Sequence, residues 1–404
     1  MLMQGYIRSD LAAGAGRVAP LHKSTDVSGP PLRVLMVAAR YLPYSGGTET
    51  HVHEVSRRLA QAGHIVGVLT ADPTGELKRN EQVDGVTIIR LRAWPRNRDY
   101  LFAPGIIRLI DPTKWDLIHI QGYHTLVAPL AMLGAIRSKI PFVITFHSGG
   151  HSSGWRRWLR PLQWNLLRPL VSRARRCIGV SRFEAETFCN QMGLDRRRMA
   201  VIPNGAELPQ PDAASAQQSA GRLILSVGRL ERYKGHHRAI EALPYLLSDF
   251  PDLQLRIIGS GPYEDDLRRL AMQCGVSDRV AIGAISAANR QELSNLVARA
   301  SLVTLLSDYE ANPVAIMEAL SLGRRVLATA SSGFIELAEQ GLLRTVPLQS
   351  DAASIAAAMA DELNAPAGRP AVPLPDWQSC ADRLVDVYRA ALRDELVFRP
   401  EVRA

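Results

Sequence analysis

Two basic residues follow a short apolar segment in the second half of the chain, where a strand would pass into a helix. Arg229 comes directly after Gly228, and Lys234-Gly235 precede the predicted helix. A helix N-terminus offers unpaired N–H groups and the positive end of its dipole, and glycine lets a ligand approach the backbone. Together with two cations, this turn suits a diphosphate, although a solvated basic turn that merely ends a strand would have the same composition.

A second glycine-rich turn occupies residues 257–262, again between a predicted strand and a predicted helix. Its sequence, IIGSGP, includes Gly259 and Gly261 but lacks the third glycine of a dinucleotide-binding fingerprint. The turn is therefore either a tight connection or a ligand contact at Gly259. It gives little support to a nicotinamide site.

Two glutamates, Glu310 and Glu318, follow another predicted strand. Pro313 favours the first turn of a helix, so the helix N-terminus falls near residues 312–314. Glu310 then lies in the preceding loop and Glu318 about one and a half turns inside the helix, so both can face one crevice. One carboxylate can accept hydrogen bonds from sugar hydroxyls and the other from ribose hydroxyls. A capping acid and a surface residue are the alternative interpretation.

The elements that must position these turns alternate between strands and helices in both halves of the chain. Strands are predicted at residues 32–39, 64–70, 86–91, 116–120, 142–146, 177–181, 200–202, 222–227, 253–258, 280–283, 302–306 and 325–329. Helices are predicted up to residue 62 and at residues 126–137, 236–247, 263–273, 314–322 and 377–392. This alternation is typical of two doubly wound α/β units, whose ligand lies beyond the strand ends.

The domain boundaries follow from where this pattern stops and restarts. We expect a disordered arm at 1–30, a first Rossmann-like domain at 31–206, a polar linker at 207–221 and a second Rossmann-like domain at 222–375. The segment 376–395 would hold a C-terminal helix that crosses back to the first domain. The four cysteines are widely spaced and form no CxxC pair, and no secretory signal or bilayer-spanning apolar run is visible, which favours the cytoplasm.

Several histidines lie close together in sequence but do not predict a metal site. His51 and His53 are two residues apart and His236 and His237 are adjacent, so neither pair shares one helical face. The sequence also contains no Asp-x-Asp motif, which is the usual carboxylate clamp for a donor-bound divalent cation. We therefore expect neither a metal ion nor an organic cofactor.

The order of these three segments along the chain resembles the family 4 glycosyltransferases of the GT-B fold. The segments are GRL at residues 228–230 with KG at 234–235, GSGP at 259–262, and the two glutamates. The first half agrees, because residues 43–49 (PYSGGTE) resemble that family's first-strand glycine loop and residues 145–148, 180–181 and 201–205 match similar segments. The resemblance runs from about residue 32 to 392. It implies two Rossmann-like domains that face each other across a cleft, with the donor mainly in the second and the acceptor in the first.

The resemblance also implies roles for the matching positions. Arg229 and Lys234 would hold the donor diphosphate and Glu318 the ribose. Glu310 would bind the transferred sugar, and His147 would lie near its anomeric carbon. These roles make Glu310 and His147 the candidate catalytic residues.

Further donor contacts are implied at the two glycine loops and at the helix N-terminus. They comprise Gly46, Gly47, Gly259, Asn312, Pro313 and Val314. Two departures stand out: Ala311-Asn312 follows the first glutamate where many relatives have Gly-Phe or Gly-Asn, and Gln121 replaces a histidine that some relatives have.

The predicted activity is a hexosyltransferase reaction that moves a sugar from a UDP- or GDP-sugar to an acceptor, in polysaccharide or glycolipid biosynthesis. The resemblance implies retention of anomeric configuration, by front-face attack within an ion pair. Two alternatives remain open from sequence, a nucleotide-dependent oxidoreductase and a non-catalytic relative that binds a sugar. The missing glycine fingerprint argues against the first, and the intact basic and acidic residues argue against the second.

The first half of the chain is strongly basic. Residues 1–205 contain 28 Lys and Arg against 14 Asp and Glu, whereas residues 206–404 contain 20 against 25. Its partner is therefore expected to be anionic. Nucleic acid is not expected, because no recognition motif accompanies the charge.

One segment, residues 155–176, concentrates this basic charge and adds tryptophans. At its start lie Trp155, Arg156, Arg157, Trp158 and Arg160. Pro161 and Pro169 predict a break into shorter helices. Either the shorter helices pack an apolar stripe on the first domain, or the segment rests on the inner face of an anionic membrane and presents an anionic or lipid-linked acceptor. The stripe comprises Trp155, Trp158, Leu159, Leu162 and Leu166.

Overall fold

The computed structural model describes residues 29–44, 46–95, 101–148, 154–213, 221–286, 289–365 and 374–393, with residues 154–161 as backbone only. Most of the predicted arm and part of the predicted linker lie outside the described residues. The described residues form two sheets with helices on both faces. Strands of the first sheet are β1 Arg33–Ala38, β2 Ile65–Asp72, β3 Asn80–Val83, β4 Val86–Arg92, β5 Leu117–Gln121, β6 Phe142–Thr145, β7 Arg176–Gly179 and β8 Met199–Val201.

The second sheet is built entirely from parallel strands. Its strands are β9 Leu223–Val227, β10 Gln254–Ile258, β11 Val280–Gly283, β12 Leu302–Leu305, β13 Val326–Thr329 and β14 Arg344–Val346. They are arranged in the order β11-β10-β9-β12-β13-β14. This is the Rossmann order, whose direction reverses between β9 and β12 and opens a crevice at their carboxyl ends.

The first sheet has the order β3-β4-β2-β1-β5-β6-β7-β8, and only the pairing of β3 with β4 is antiparallel. Its corresponding reversal lies between β1 and β5. The prediction of two Rossmann-like α/β units is therefore confirmed. The strand β3 was not predicted, because its sequence NEQV has neither an apolar run nor an apolar alternation.

Helices cover the faces of both sheets. They are α1 Gly47–Gln61, α2 Ile106–Leu109, α3 Val127–Arg137, α4 Gly154–Val171, α5 Arg182–Met192, α6 His236–Ala242, α7 Glu264–Gln273, α8 Arg290–Arg299, α9 Val314–Ser321, α10 Gly333–Glu339, α11 Ala352–Asn364 and α12 Trp377–Leu392. The sequence pattern did not reveal α2, α5, α8, α10 and α11, and it placed the start of α9 correctly.

The helix α12 packs against the first sheet's helix α1. Asp376 caps its start by accepting a hydrogen bond from the Ser379 N–H, at 2.7 Å. Its apolar face, which includes Leu384 and Tyr388, is buried with Val52 of α1 in one core cluster. The chain therefore leaves the second sheet and returns to the first at its C-terminal end.

The helix α4 is one continuous helix of 18 residues. The prediction that Pro161 and Pro169 break it was wrong. A proline within a helix removes one backbone hydrogen bond, but the buried face that contains Trp164, Leu167 and Val171 packs into the first core and offsets this loss.

Residues 207–212, within the predicted linker, lie along α8. Leu208 is buried in the second sheet's core. Ser294 donates to the Pro209 carbonyl at 2.5 Å, and Gln291 donates to the Gln210 carbonyl at 2.9 Å. This part of the chain is therefore fixed to the second sheet.

Candidate active site

Glycines close the turns at the carboxyl ends of the second sheet. Gly235 has φ 73°, and a Cβ there would lie 1.9 Å from the Leu306 carbonyl oxygen. A Cβ on Gly259 would lie 1.9 Å from the Gly228 carbonyl oxygen, and the Gly259 N–H donates to Gly283. Both glycines allow strand ends to pack closely. The predicted contact between Gly259 and the nucleotide-sugar donor stays a prediction.

Lys234 and Glu310 form the central ion pair of this crevice. The ammonium Nζ lies 2.5 Å from the Glu310 Oε1, and the Ser307 hydroxyl donates to the same oxygen at 2.9 Å. Burial lowers the pKa of Lys234, but the Glu310 carboxylate and Tyr233 raise it above its ordinary value overall. The lysine therefore stays charged beside the carboxylate.

Arg229 stands at the edge of the same turn, where it is exposed. Its guanidinium donates to the Tyr233 hydroxyl at 3.0 Å. Desolvation by the surrounding protein atoms lowers its pKa, but Tyr233, Glu231 and Glu49 raise it overall. Because Glu49 lies on α1, a carboxylate from the opposite side of the crevice contributes to the raised pKa of Arg229.

Glu318 lies inside α9, where its side chain is 3% exposed. Arg290 of α8 donates to its Oε1 and also to the Glu207 carbonyl, the latter at 3.1 Å. Burial raises the pKa of Glu318, and the Arg290 charge opposes this shift. A carboxylate held by one oxygen in this way can present the other oxygen to a hydroxyl donor.

The glycine loop of the first sheet faces the start of α9. Pro313 is the N-cap residue, so α9 begins at Val314. A Cβ on Gly47 would lie 4.0 Å from Val314 Cγ2, while a Cβ on Gly46 would collide with the Glu49 carboxylate at 2.3 Å. The geometry brings the predicted glycines and the predicted helix N-terminus together across the crevice.

Asn312 links the two sheets directly. Its Oδ1 accepts from the Asn204 N–H at 3.1 Å, and its carbonyl accepts from the Asn204 side chain at 3.0 Å. The Asn204 Oδ1 in turn lies 2.9 Å from His51 Nδ1 on α1. The resemblance assigns Asn312 to the binding of the sugar donor. In this structure its Oδ1 and its carbonyl oxygen both accept hydrogen bonds from Asn204 of the first sheet's loop.

His147 follows β6 with a left-handed backbone, φ 47°, which a non-glycine residue seldom adopts. Its Nε2 lies 2.7 Å from the Gln121 Oε1, and its carbonyl is 3.3 Å from His124 Nε2. Burial lowers its pKa well below the usual range, and the neighbouring rings of His51, His119 and His124 lower it further. The imidazole is therefore neutral.

Glu184 holds the loop that continues from His147. Its Oε1 accepts from the N–H and the hydroxyl of Ser148, both at 2.5 Å, and its Oε2 accepts from Val180 N–H at 2.8 Å. Ser148 also contacts the Tyr309 hydroxyl of the second sheet's side, at 2.8 Å. Burial raises the pKa of Glu184, and these hydrogen bonds oppose the shift.

The sequence did not predict a site-forming role for three residues: Glu184, Asn204 and Arg290. Only Glu184 had a local signal, since Ser181 and Glu184 have capping-box spacing at the start of α5. Asn204 and Arg290 acquire their partners from segments 108 and 28 residues away. Neither partner is visible in a local pattern.

Five residues were predicted to lie on the acceptor or membrane side, and all of them lie in the part of α4 described as backbone only: Trp155, Arg156, Arg157, Trp158 and Arg160. Their side chains are outside the described residues. Farther along α4, Leu162 and Leu166 are 56% and 69% exposed, whereas Trp164 and Leu167 are buried. The predicted stripe through Leu162 and Leu166 is therefore not the face that packs on the first sheet.

The described residues contain no cluster of three or more His, Cys, Asp or Glu side chains that could hold a metal ion. Among these residues there is also no helix with the length and apolarity that membrane crossing requires.

Family models match both halves of the chain. Residues 45–209 match Glycosyltransferase Family 4, and residues 212–370 match Glycosyl transferases group 1. The chain belongs to the family 4 glycosyltransferases. With its two Rossmann-like sheets, this family 4 enzyme has the GT-B fold, and the predictions of a glycosyltransferase of the hexosyltransferase type are confirmed. The oxidoreductase and the non-catalytic alternatives are not supported.

Similar proteins extend over almost the whole enzyme. Glycogen synthase of Mycobacterium tuberculosis (strain CDC 1551 / Oshkosh) is 29% identical over 92% of this chain and 98% of its own length. GDP-mannose:cellobiosyl-diphosphopolyprenol alpha-mannosyltransferase of Xanthomonas campestris is 27% identical over 89% and 97%. The solved structure of sucrose-phosphate synthase from Thermosynechococcus elongatus is 21% identical over 89% and 99%, with a TM-score of 0.73, and so supports the fold.

Proposed function

We propose that this enzyme transfers a hexose from a UDP- or GDP-sugar to an acceptor in polysaccharide or glycolipid biosynthesis. The observation that carries the proposal is the Lys234–Glu310 pair at the reversal point of the second sheet, beside Arg229. A diphosphate would take the two cations, and Glu310 would then be available to the sugar hydroxyls. The Xanthomonas relative is named for a GDP-mannose donor.

In this proposal the leaving diphosphate is neutralised by protein groups. Arg229, Lys234 and the N–H groups at the start of α9 would oppose the negative charge that develops as the glycosidic bond breaks. Well-aimed donors of this kind contribute about 100- to 1000-fold each to the rate. Because the sequence has no Asp-x-Asp clamp, we propose that the reaction needs no divalent metal. We also propose that it proceeds with retention, by front-face attack within an ion pair, as the resemblance to the family implies.

Nucleotide recognition can be tested by thermal shift with UDP, GDP, ADP and NAD. A nucleotide at about 100 times its Kd stabilises a protein by about 2.7 kcal/mol. We expect UDP or GDP to raise the Tm and NAD to have no effect, and we expect turnover to persist in excess EDTA. Stabilisation by ADP or NAD alone, or by none of the four, would contradict the donor class, and manganese-dependent rescue after EDTA would contradict metal independence.

We also propose that α4 rests on the inner, anionic face of the cytoplasmic membrane and places a lipid-linked acceptor near the crevice. The exposed Leu162 and Leu166 support this, as does the basic charge of residues 155–176. The Xanthomonas relative is named for a diphosphopolyprenol acceptor. Each basic residue near such a surface contributes about 1 kcal/mol.

Vesicle co-sedimentation tests this placement. The enzyme should bind vesicles that contain anionic lipid and dissociate in high salt, because salt screens exposed charges. Changing Arg156, Arg157 and Arg160 to Glu should abolish binding, while the charge-matched change of Arg256, Arg269 and Arg299 on the second domain should not. Equal binding to neutral vesicles, or an equal loss of binding in both triple variants, would contradict the placement of α4 on an anionic membrane. The acceptor would then be expected to be soluble.

A further inference from the structure

A buried chain of side chains runs from His147 to the C-terminal helix. The His147 Nε2 lies 2.7 Å from the Gln121 Oε1, and the Gln121 Nε2 lies 3.2 Å from His119 Nδ1. The His119 Nδ1 is 2.6 Å from the Tyr388 hydroxyl of α12, and its Nε2 is 2.8 Å from the Thr145 hydroxyl. Gln121 is the only amide in this chain of contacts, so it connects two imidazoles.

The atoms around the Gln121 amide favour one orientation of that amide. The Gln121 amide nitrogen faces His119 Nδ1 and also lies 3.6 Å from the Met36 sulfur, a weak acceptor. The reversed amide would set its oxygen against that sulfur, which is unfavourable because both atoms are acceptors. The amide oxygen therefore faces His147, whose Nε2 must carry the proton.

This arrangement determines which nitrogen of His147 holds its lone pair. A neutral imidazole has one protonated nitrogen and one acceptor nitrogen. With the proton on Nε2, the lone pair is on Nδ1. The left-handed φ of 47° at His147 costs free energy, and the Gln121 contact helps to hold the residue in that conformation.

We propose that Gln121 is a positioning residue that keeps His147 in the neutral Nε2–H form, so that Nδ1 accepts a hydrogen bond from a hydroxyl of the transferred sugar. This inference rests on the proposed role of His147 at the sugar. It also gives a function to α12, because Tyr388 of this helix contacts His119, and His119 in turn contacts the Gln121 amide nitrogen. Because a glutamine side chain does not ionise, it offers the His147 Nε2 the same acceptor oxygen at every pH.

The surroundings of His147 explain why a neutral partner matters. His51 on α1, His119 on β5 and His124 in the next loop all lie close enough to affect its charge, and the His51 ring centroid is 4.6 Å from the His147 ring centroid. Burial together with these neighbours lowers the pKa of His147 well below its ordinary value. An ionised group at position 121 would instead favour the imidazolium, which has no lone pair to offer.

The experiment compares Gln121→Glu and Gln121→Leu with the unchanged enzyme. Nitrogen-15 spectra of histidine-labelled enzyme report the tautomer of each ring, and His147→Asn identifies the relevant signals. We expect the Nε2–H pattern for His147 in the unchanged enzyme and its loss in Gln121→Leu. In Gln121→Glu, a carboxylate of nearly the same shape, we expect protonation of His147 in the neutral pH range.

The kinetics should separate positioning from binding. Both variants should lower kcat by about 10- to 100-fold, the range for groups that orient histidine ligands of metals, with nucleotide affinity within about twofold of the original. In Gln121→Glu, kcat should also rise with pH as His147 loses its extra proton. Ile118→Val on the same buried strand changes an apolar side chain that can form none of these hydrogen bonds, so it controls for a loss of packing.

Two results would overturn the inference. One is an Nδ1–H or charged His147 in the unchanged enzyme, and the other is a Gln121→Glu profile with unchanged kcat and pH dependence. The tautomer measurement needs neither donor nor turnover. An absence of nucleotide binding by the unchanged enzyme would therefore count against the proposed function and not against the role of Gln121.

Discussion

Replacing Lys234 with alanine should lower kcat/KM by about 100- to 1000-fold, which corresponds to about 2.7–4 kcal/mol of transition-state stabilisation. The ammonium group lies in the crevice on Glu310, at 2.5 Å, and it would face the leaving diphosphate once a donor binds. Arg229→Ala should have an effect of similar size, because its guanidinium stands at the same turn. Steady-state kinetics with varied donor would measure both effects.

The structure separates these two variants in stability. Arg229 is exposed, so the alanine variant should unfold at nearly the original temperature. Lys234 is 14% exposed and pairs with a Glu310 that is 9% exposed, so its removal leaves a buried carboxylate without its cation and should lower the Tm. The position of Lys234 in a turn would by itself predict no such cost.

Controls distinguish a specific contact from general charge. Arg232→Ala removes a neighbouring exposed cation of the same turn, which contacts the Tyr263 hydroxyl at 3.1 Å, and it should leave kinetics nearly unchanged. Lys234→Arg keeps the charge and should lose less activity than the alanine variant. Near-normal kcat/KM in Arg229→Ala or Lys234→Ala would remove that residue from the diphosphate site.

The second large effect concerns the two glutamates, whose glutamine variants should lose different properties. Glu318→Gln should weaken the binding of free nucleotide by about 10- to 100-fold, since a hydrogen bond to a charged group contributes about 1.5–3 kcal/mol. Glu310→Gln should spare nucleotide binding, because it frees Lys234 from its carboxylate partner for the phosphates. It should lower kcat/KM by about 100-fold, because the sugar loses its acceptor.

Calorimetry with the nucleotide alone decides between these roles. The affinity of the unchanged enzyme should also fall at acid pH, because burial raises the pKa of Glu318 and its protonated form accepts hydrogen bonds poorly. Arg290 opposes this shift and Glu54 adds to it, so these are the charges to consider in fitting the profile. Equal losses of nucleotide affinity in the two glutamine variants would refute the division of roles.

Local patterns predicted much of this site because the groups follow strand ends. The start of α9 at Val314 followed from Pro313, and the capped, amphipathic α12 was predicted over its full length. Prediction failed where packing overrode a local signal: α4 continues through Pro161 and Pro169 because its buried face stabilises it. The polar strand β3 formed only because β4 provides its hydrogen-bond partners.

The sequence by itself determined two Rossmann-like units, their glycine turns and the order of the basic and acidic residues. Burial and backbone sterics act over a few residues, so their periodicity is visible in the sequence. Only the tertiary structure decided the partners. Lys234 and Glu310 are 76 residues apart, Asn204 and Asn312 are 108 apart, and His119 and Tyr388 are 269 apart. Such pairs depend on strand order and on the return of α12 to the first sheet, because hydrogen bonds and ion pairs form only between groups that the whole fold brings within about 3 Å.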